Sequence, residues 1–183
     1  GTLHADLSVS AHGESLKPGR VIVTTGASPW VPPTAGLSEA GYLTSTEALA
    51  LTKLPASMIV IGGSAVGLEI AQLYARLGTR VTVLEAMPVL VPAEDAEVGP
   101  ALTEYLREEG LEVWTAVSIG RVGREASGYT IEATVQNQAR TFRAEQLLVA
   151  TGRRANTRRF GLEEAGVQLG PKGEIRVNEH LQT

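Results

Sequence analysis

The apolar positions of this chain follow two different periods, and the change between them predicts the order of its elements. Four short apolar runs, at 58–61, 81–84, 111–114 and 146–150, have the length of buried parallel strands. Between the first three runs, apolar residues recur at helical spacing. Those of the first helix are Val66, Ile70, Leu73, Tyr74 and Leu77, and those of the second are Val98, Ala101, Leu102 and Tyr105. The pattern therefore predicts a βαβαβ order.

From residue 117 onward the period changes to two. Segments 117–124, 127–136 and 139–143 are predicted strands, separated by Gly/Ser and Asn/Gln turns. In the middle segment apolar and polar residues alternate, which is typical of an antiparallel sheet with one solvated face. The predicted fold class is α/β: a Rossmann-like βαβαβ nucleotide-binding domain with an antiparallel β-meander. Towards the two ends, weaker patterns predict a strand at 20–25, a short helix near 162–165 and a strand near 174–177.

The turn after the first strand carries the first candidate chemistry. Its residues are Gly62, Gly63, Ser64, Ala65, Val66 and Gly67. Gly62 lets the chain turn sharply off the strand, and Gly67 lets the helix pack closely on the sheet. The helix N-terminus offers unpaired N–H groups and a positive potential to a pyrophosphate. Ser64 stands where the middle glycine of such a turn is usual, and its small hydroxyl can meet a phosphate oxygen.

The second strand ends on Glu85, whose carboxylate is suited to accept hydrogen bonds from an adenosine ribose diol. Strand, glycine turn, helix, strand and terminal acid together form the dinucleotide-binding fingerprint. The fingerprint therefore predicts a dinucleotide ligand, and the alternative is a degenerate Rossmann fold that binds none. No arginine lies among residues 86–89. The charge of Glu85 would repel the 2′-phosphate of NADP(H), so local electrostatics favour NAD(H).

Composition narrows the remaining function classes. A chain of 183 residues has room for one domain, or for one and a half. Its net charge of −4 argues against a nucleic-acid surface, and no apolar run is long enough to cross a bilayer. The chain contains no cysteine, which excludes disulfides, thiolate metal sites and cysteine nucleophiles within it. We expect a cytoplasmic protein with no nucleic-acid or membrane partner and no metal site.

A weak sequence repeat occurs on the two flanks of the predicted domain. VIVTTGASP at 21–29 and LLVATGRRA at 147–155 both end an apolar strand in Thr-Gly. With ATGRRAN at 150–156, the chain resembles the flavoprotein pyridine nucleotide-disulfide oxidoreductases, whose nicotinamide domain is inserted into a flavin domain. The resemblance implies FAD as a second cofactor of the parent protein. It also implies domain limits: partial flavin-domain segments at 1–44 and 153–183, and an NAD(P)-binding domain at 45–152.

The resemblance assigns further site residues. It implies that Thr25, Gly26 and Gly152 lie beside the flavin nucleotide, and that Glu69 faces the nicotinamide carboxamide and the flavin. Glu69 has an alternative role as a polar residue favoured by the helix dipole. Arg153 either contacts a cofactor phosphate or belongs to a solvated arginine cluster. The flavin-binding glycine motif, the redox cysteine pair and the C-terminal dimerisation domain of this family are not found here. We therefore expect an inactive fragment of a homodimeric parent.

Within the family, the likeness is greatest to the mercuric reductases. VPPTAGLSEAGYLTSTEALAL at 31–51 and EIRVNEHLQT at 174–183 resemble their segments, and Ala65 stands where most relatives place a tyrosine. This likeness implies that hydride passes from NAD(P)H through FAD and thiols to Hg(II), and it favours NADPH, against the local electrostatics. The alternatives are a dihydrolipoamide dehydrogenase fragment and a non-catalytic NAD-sensing Rossmann module.

Overall fold

A computed structural model describes all 183 residues, which form two compact units: Gly1–Pro29 with Arg153–Thr183, and Trp30–Gly152. The strands in chain order are β1 (Thr2–Leu3), β2 (Val9–Ala11), β3 (Glu14–Leu16), β4 (Ala27–Pro29), β5 (Ser57–Ile61), β6 (Arg80–Leu84), β7 (Glu112–Trp114), β8 (Val117–Glu125), β9 (Gly128–Val135), β10 (Gln138–Ala144), β11 (Gln146–Val149) and β12 (Arg153–Ala155). The helices are α1 (Leu37–Ala40), α2 (Ser45–Leu49), α3 (Ala65–Arg76) and α4 (Val98–Glu108). No helix is both long and apolar enough to cross a membrane.

The larger unit is built on a four-stranded parallel sheet with the order β11-β5-β6-β7. Helix α3 connects β5 to β6 and α4 connects β6 to β7, as the sequence pattern predicts. The side chains of β5 alternate between two cores. Ile59 and Ile61 face the core shared with β8, β9 and β10, whereas Met58 and Val60 face the core shared with α3 and α4. Because both faces of the sheet are covered, its strands are continuous apolar runs.

The antiparallel meander β8-β9-β10 covers one face of the parallel sheet. The buried residues of β9 are Tyr129, Ile131, Ala133 and Val135, the alternating set that the period of two predicts. The α/β fold class is therefore confirmed. Residues 30–44 also belong to the larger unit by their contacts, since Ala35 bridges to Arg121 and Leu43 to Leu148. The functional division at residue 45 stays a prediction.

The helical spacing of the apolar residues does not identify the buried face of either connecting helix. On α3, Val66, Leu73 and Leu77 are exposed by 44%, 43% and 57%. The buried residues of that helix are Gly67, Leu68, Ile70, Ala71 and Tyr74. On α4, Tyr105 is 63% exposed, and the buried residues are Gly99 and Leu106. A glycine or alanine lets the helix backbone approach closely, so the small residues face the core.

The smaller unit contains the sheet β1-β2-β3, the antiparallel ribbon β4-β12 and an apolar cluster around Leu3, Leu162 and Val167. The predicted strand at 20–25 is wrong. That segment has no regular secondary structure and no strand neighbour, and Ile22 is 87% exposed. Residues 162–165 form turns rather than a helix, and the predicted strand near 174–177 is reduced to one bridge between Leu169 and Ile175. An apolar run becomes a strand only where a second strand completes its hydrogen bonds.

Candidate nucleotide-binding site

The turn between β5 and α3 needs glycine at two positions. Gly62 has a φ of +114°, a conformation that L-residues rarely adopt, and a β-carbon there would overlap the carbonyl oxygen of Ala150. A β-carbon at Gly67 would overlap the carbonyl oxygen of Gly62. The first glycine therefore allows the chain to leave the strand, and the last allows the helix to begin directly against the turn. Both predictions from the motif agree with the geometry.

Of the four positions between these two glycines, local geometry explains the residue types at two, Ser64 and Gly63. Ser64 is the exposed N-cap of α3 with φ −111° and ψ 178°, which any residue adopts without strain. The exchange of the middle glycine for serine is therefore tolerated by the fold. Gly63 has no positive φ, but a β-carbon there would lie 2.5 Å from Leu90 Cδ2 and 3.0 Å from Glu85 Cβ. Position 63 is therefore glycine because there is no space for a β-carbon.

The backbone N–H groups of the turn divide into two sets. The N–H of Gly62 donates to the carbonyl of Leu84 at 2.9 Å, and that of Gly63 donates to Oε2 of Glu85 at 2.5 Å. The N–H groups of residues 64–67 donate to nothing, and the Ser64 hydroxyl makes no capping bond. Four N–H groups without a protein partner therefore lie at the positive end of a three-turn helix, where anions are favoured.

Glu85 lies at the carboxyl end of β6 and is only 8% exposed. Its Oε2 accepts the Gly63 N–H, and its Oε1 accepts the Met87 N–H at 2.7 Å. Each carboxylate oxygen has two acceptor sites, so both retain one for a ligand hydroxyl. The sequence indicates the acid but not these two bonds, because they depend on how the turn and the next loop fold back on it. Glu85 therefore stabilises the turn as well as facing it.

A second element that the sequence does not reveal is the loop after β6. The N–H of Val91 donates to the carbonyl of Gly63 at 2.9 Å, and the Leu90 side chain is fully buried beside the turn. On its other side, Leu90 lies close to Gly99, where a β-carbon would be 2.5 Å from the Leu90 carbonyl oxygen. The only sequence signal for this packing is a glycine in the first turn of α4.

The other predicted site residue on α3, Glu69, is exposed, and its side chain makes no hydrogen bond. Gly152 also belongs to the larger unit and has a φ of +114°. Its carbonyl accepts the Trp30 N–H at 2.9 Å, and the preceding Thr151 hydroxyl donates to the Trp30 carbonyl at 2.6 Å. The Thr-Gly turn is thus joined to the segment that begins the unit.

Three further predicted residues come together in the smaller unit. The Asn156 side chain donates to the Thr25 carbonyl at 3.1 Å, and the Asn156 N–H donates to the Gly26 carbonyl at 2.9 Å. The Arg153 guanidinium donates to the carbonyl of Ala27 across the β4-β12 ribbon. Arg153 is exposed, and this bond directs part of its guanidinium to the backbone. The first Thr-Gly turn is therefore held by a neighbouring asparagine, in surroundings unlike those of the second.

Comparisons with known proteins identify relatives of this chain. Among curated proteins, the mercuric reductase of Staphylococcus aureus is 39% identical over 178 residues, which cover 97% of this chain and 32% of that protein. The mercuric reductase of Acidithiobacillus ferrooxidans is 44% identical over 164 residues, covering 90% of this chain and 29% of that protein. The chain thus spans about a third of the length of these relatives.

Solved structures and a family profile extend the comparison. The HOCl-induced flavoprotein disulfide reductase RclA of Escherichia coli superposes with a TM-score of 0.83 at 26% identity, covering 99% of this chain and 40% of that one. LpdA of Mycobacterium tuberculosis superposes with a TM-score of 0.76 at 31% identity, covering 93% of this chain and 37% of that one. The profile of the pyridine nucleotide-disulphide oxidoreductases matches residues 1–183. The chain belongs to the pyridine nucleotide-disulphide oxidoreductase family.

Proposed function

We propose that the larger unit binds a nicotinamide dinucleotide at the carboxyl edge of its parallel sheet. The observation that carries the proposal is the set of four unused N–H donors at residues 64–67, beside the buried carboxylate of Glu85. A pyrophosphate needs donors and positive potential, whereas a ribose diol needs an acceptor. The site offers both, because Glu85 accepts the N–H of Gly63, next to these donors. The chain also belongs to the pyridine nucleotide-disulphide oxidoreductases.

In this proposal, different residues of the site bind different parts of the dinucleotide. Gly62 and Gly67 hold the turn against the sheet, so that the ligand can approach the backbone. The N–H groups of residues 64–67, on Ser64, Ala65, Val66 and Gly67, donate to the pyrophosphate, and Glu85 accepts from the adenosine ribose. Glu69, one turn further along α3, is exposed and faces the nicotinamide end in this proposal. When bound, the nicotinamide supplies the hydride, while the protein supplies its position.

We infer a preference for NAD(H) over NADP(H). The carboxylate of Glu85 is buried and bound to two backbone N–H groups, so it has little freedom to turn away from a 2′-phosphate. Like charges at about 4 Å repel by roughly 1–4 kcal/mol, depending on the local dielectric. Residues 86–89 provide no cation to offset this repulsion. The expected preference is therefore about tenfold to several-hundredfold.

For the whole protein, we propose the activity that its relatives carry in their names, the reduction of mercuric ion. Thr25, Gly26, Gly152 and Arg153 are then the residues that border FAD. Reducing equivalents from the nicotinamide would pass to thiols and convert Hg(II) to Hg(0) by transfer of two electrons. This chain contains no cysteine, so on its own it should bind the nucleotide without turnover.

Competition binding of NADH and NADPH, measured by calorimetry, tests the nucleotide site and its preference together. The variant Met87→Arg places a cation next to the proposed 2′-phosphate position and leaves the backbone N–H that Glu85 accepts. Met87→Gln is its uncharged control. We expect NADH to bind more tightly to the unmutated chain, and Met87→Arg alone to narrow the difference. Tighter binding of NADPH to the unmutated chain contradicts the role of Glu85, and no binding of either at millimolar concentration contradicts the site.

A further inference from the structure

Residues 86–91, the clamp loop, hold the centre of the glycine turn from two sides. The Val91 N–H donates to the carbonyl of Gly63, while Glu85, just before the loop, accepts the N–H of Gly63. The backbone of Gly63 is therefore bound at both of its polar groups. Val91 has a φ of +43°, which is unfavourable for a β-branched residue and persists only where the surroundings enforce it.

Leu90 fixes the clamp loop in this position. Its side chain is fully buried, and its Cδ2 would be 2.5 Å from a β-carbon at Gly63. Its carbonyl oxygen would be 2.5 Å from a β-carbon at Gly99, in the first turn of α4. The side chain of Leu90 thus packs against Gly63, and its backbone carbonyl packs against Gly99. Any change in its size must alter the distance between the loop and the turn, because a close-packed core transmits such changes.

The planar peptide group connects this packing to the phosphate donors. The carbonyl of Gly63 and the N–H of Ser64 belong to one trans peptide, in which the two groups point in opposite directions. When Val91 binds that carbonyl, it also sets the direction of the Ser64 N–H, the first of the four unused donors. The clamp loop therefore acts on the phosphate site through the backbone and needs no contact with the ligand.

We propose that Leu90 is a positioning residue of the nucleotide site, which orients the 63–64 peptide and with it the Ser64 N–H, the first of the donors of residues 64–67. The inference rests on the proposed nucleotide function. It adds that the affinity for the dinucleotide is set in part by an apolar side chain below the turn. A purely structural leucine of the same core would change the stability of the protein without changing the direction of these donors.

Binding of NADH to Leu90→Ala, Leu106→Ala and the unmutated chain separates these roles. Leu106 is equally buried, in the same core cluster, and is not among the atoms that crowd Gly63. At a temperature where all three proteins are folded, we expect Leu90→Ala to bind NADH about tenfold more weakly. A loss of this size is expected when the 63–64 peptide is no longer held in the orientation that binding needs. Leu106→Ala should stay within about twofold of the unmutated chain. Equal losses in both variants would overturn the proposal.

Exchanging the sizes of residues 63 and 90 provides a second test, because a leucine with only a structural role would not restore NADH binding. Gly63→Ala alone should weaken binding, because its methyl group meets Leu90 Cδ2. In the double variant Gly63→Ala/Leu90→Ala the methyl group enters the space that the leucine leaves, and only its contacts of 3.0 Å with Glu85 remain. The double variant should therefore bind NADH more tightly than Gly63→Ala, with a favourable coupling in the double-mutant cycle. Additive losses would contradict the proposal.

Amide spectra recorded without ligand test whether Leu90 orients the turn, independently of nucleotide binding. In Leu90→Ala, the amide signals of Gly63 and Ser64 should shift and the Val91 amide should exchange faster, whereas Leu106→Ala should leave them in place. If NADH does not bind the unmutated chain, the proposed function fails, and these signals still decide whether Leu90 orients the turn. Unchanged Gly63 and Ser64 signals in Leu90→Ala would show that it does not.

Discussion

Replacing Glu85 by glutamine tests how strongly one carboxylate stabilises the nucleotide turn. The substitution keeps the shape of the side chain and removes its charge. In the protein, two oxygens of Glu85 accept two backbone N–H groups, from Gly63 at 2.5 Å and from Met87 at 2.7 Å. Glutamine has one oxygen and one NH₂ group, so it can accept from only one of them. The other N–H then faces a second donor in a site that is nearly closed to water.

The magnitude follows from the lost bond. A hydrogen bond to a charged group contributes about 1.5–3 kcal/mol, and a buried donor left without a partner costs about 1–3 kcal/mol. These two estimates describe largely the same loss, so we expect Glu85→Gln to lower the free energy of unfolding by about 2–3 kcal/mol. For a chain of this size each kcal/mol lowers Tm by about 2–4 °C, which gives a fall of about 4–12 °C.

Urea and thermal denaturation near neutral pH measure this loss. The matched control is Glu112→Gln on the neighbouring strand β7, because Glu112 is exposed and accepts one bond of 3.2 Å from the Thr82 hydroxyl. The control should change the free energy of unfolding by less than about 0.5 kcal/mol. If Glu85→Gln is as stable as the control, the carboxylate does not hold the turn, and the argument that it cannot avoid a 2′-phosphate fails with it.

Three further predictions concern the turn, one ion pair and the smaller unit. Gly67→Ala should lower the free energy of unfolding by about 1–3 kcal/mol in urea, since its methyl group overlaps a backbone oxygen, whereas Gly123→Ala, with 3.9 Å of space, should not. The hydrogen bond from Arg76 lowers the pKa of Glu109 in the folded protein, so the bond stabilises the fold above the ordinary pKa and this stabilisation is lost as pH falls through the folded value. The difference in free energy of unfolding between the unmutated chain and Glu109→Gln should therefore shrink below about pH 4.5. A difference that stays constant with pH would contradict this. Hydrogen exchange should be faster around Ile22, which is exposed and lacks strand pairing, than in β5, and equal protection would refute that reading.

The parts of the fold that the sequence predicts are those with a local signal. The apolar runs of β5 and β6, the glycines of the turn and the alternation in β9 are each visible within a few residues. Helical spacing indicated α3 but not which side of it is buried. Val66, Leu73 and Leu77 have the right spacing, yet Gly67 and Ala71 face the sheet, because small residues allow the closer backbone contact.

What the sequence does not predict depends on contacts between distant residues. Residues 20–25 have the composition of a strand, but strand pairing needs a neighbour, and the structure provides none for them. The two N–H bonds of Glu85 and the packing of Leu90 between Gly63 and Gly99 arise only when the turn, the clamp loop and α4 are assembled. A glycine outside the motif, such as Gly99, is the one local sign of that packing.

The central claim is that the N–H groups of residues 64–67 receive the phosphates of a nicotinamide dinucleotide. A titration of the isotope-labelled chain with NADH, followed by amide spectra, tests it residue by residue. The amide signals of residues 64–67 should move progressively to saturation. The Gly62 N–H, already bound to the carbonyl of Leu84, serves as an internal reference and should move much less. Saturating NADH that leaves the signals of residues 64–67 unchanged would contradict the account.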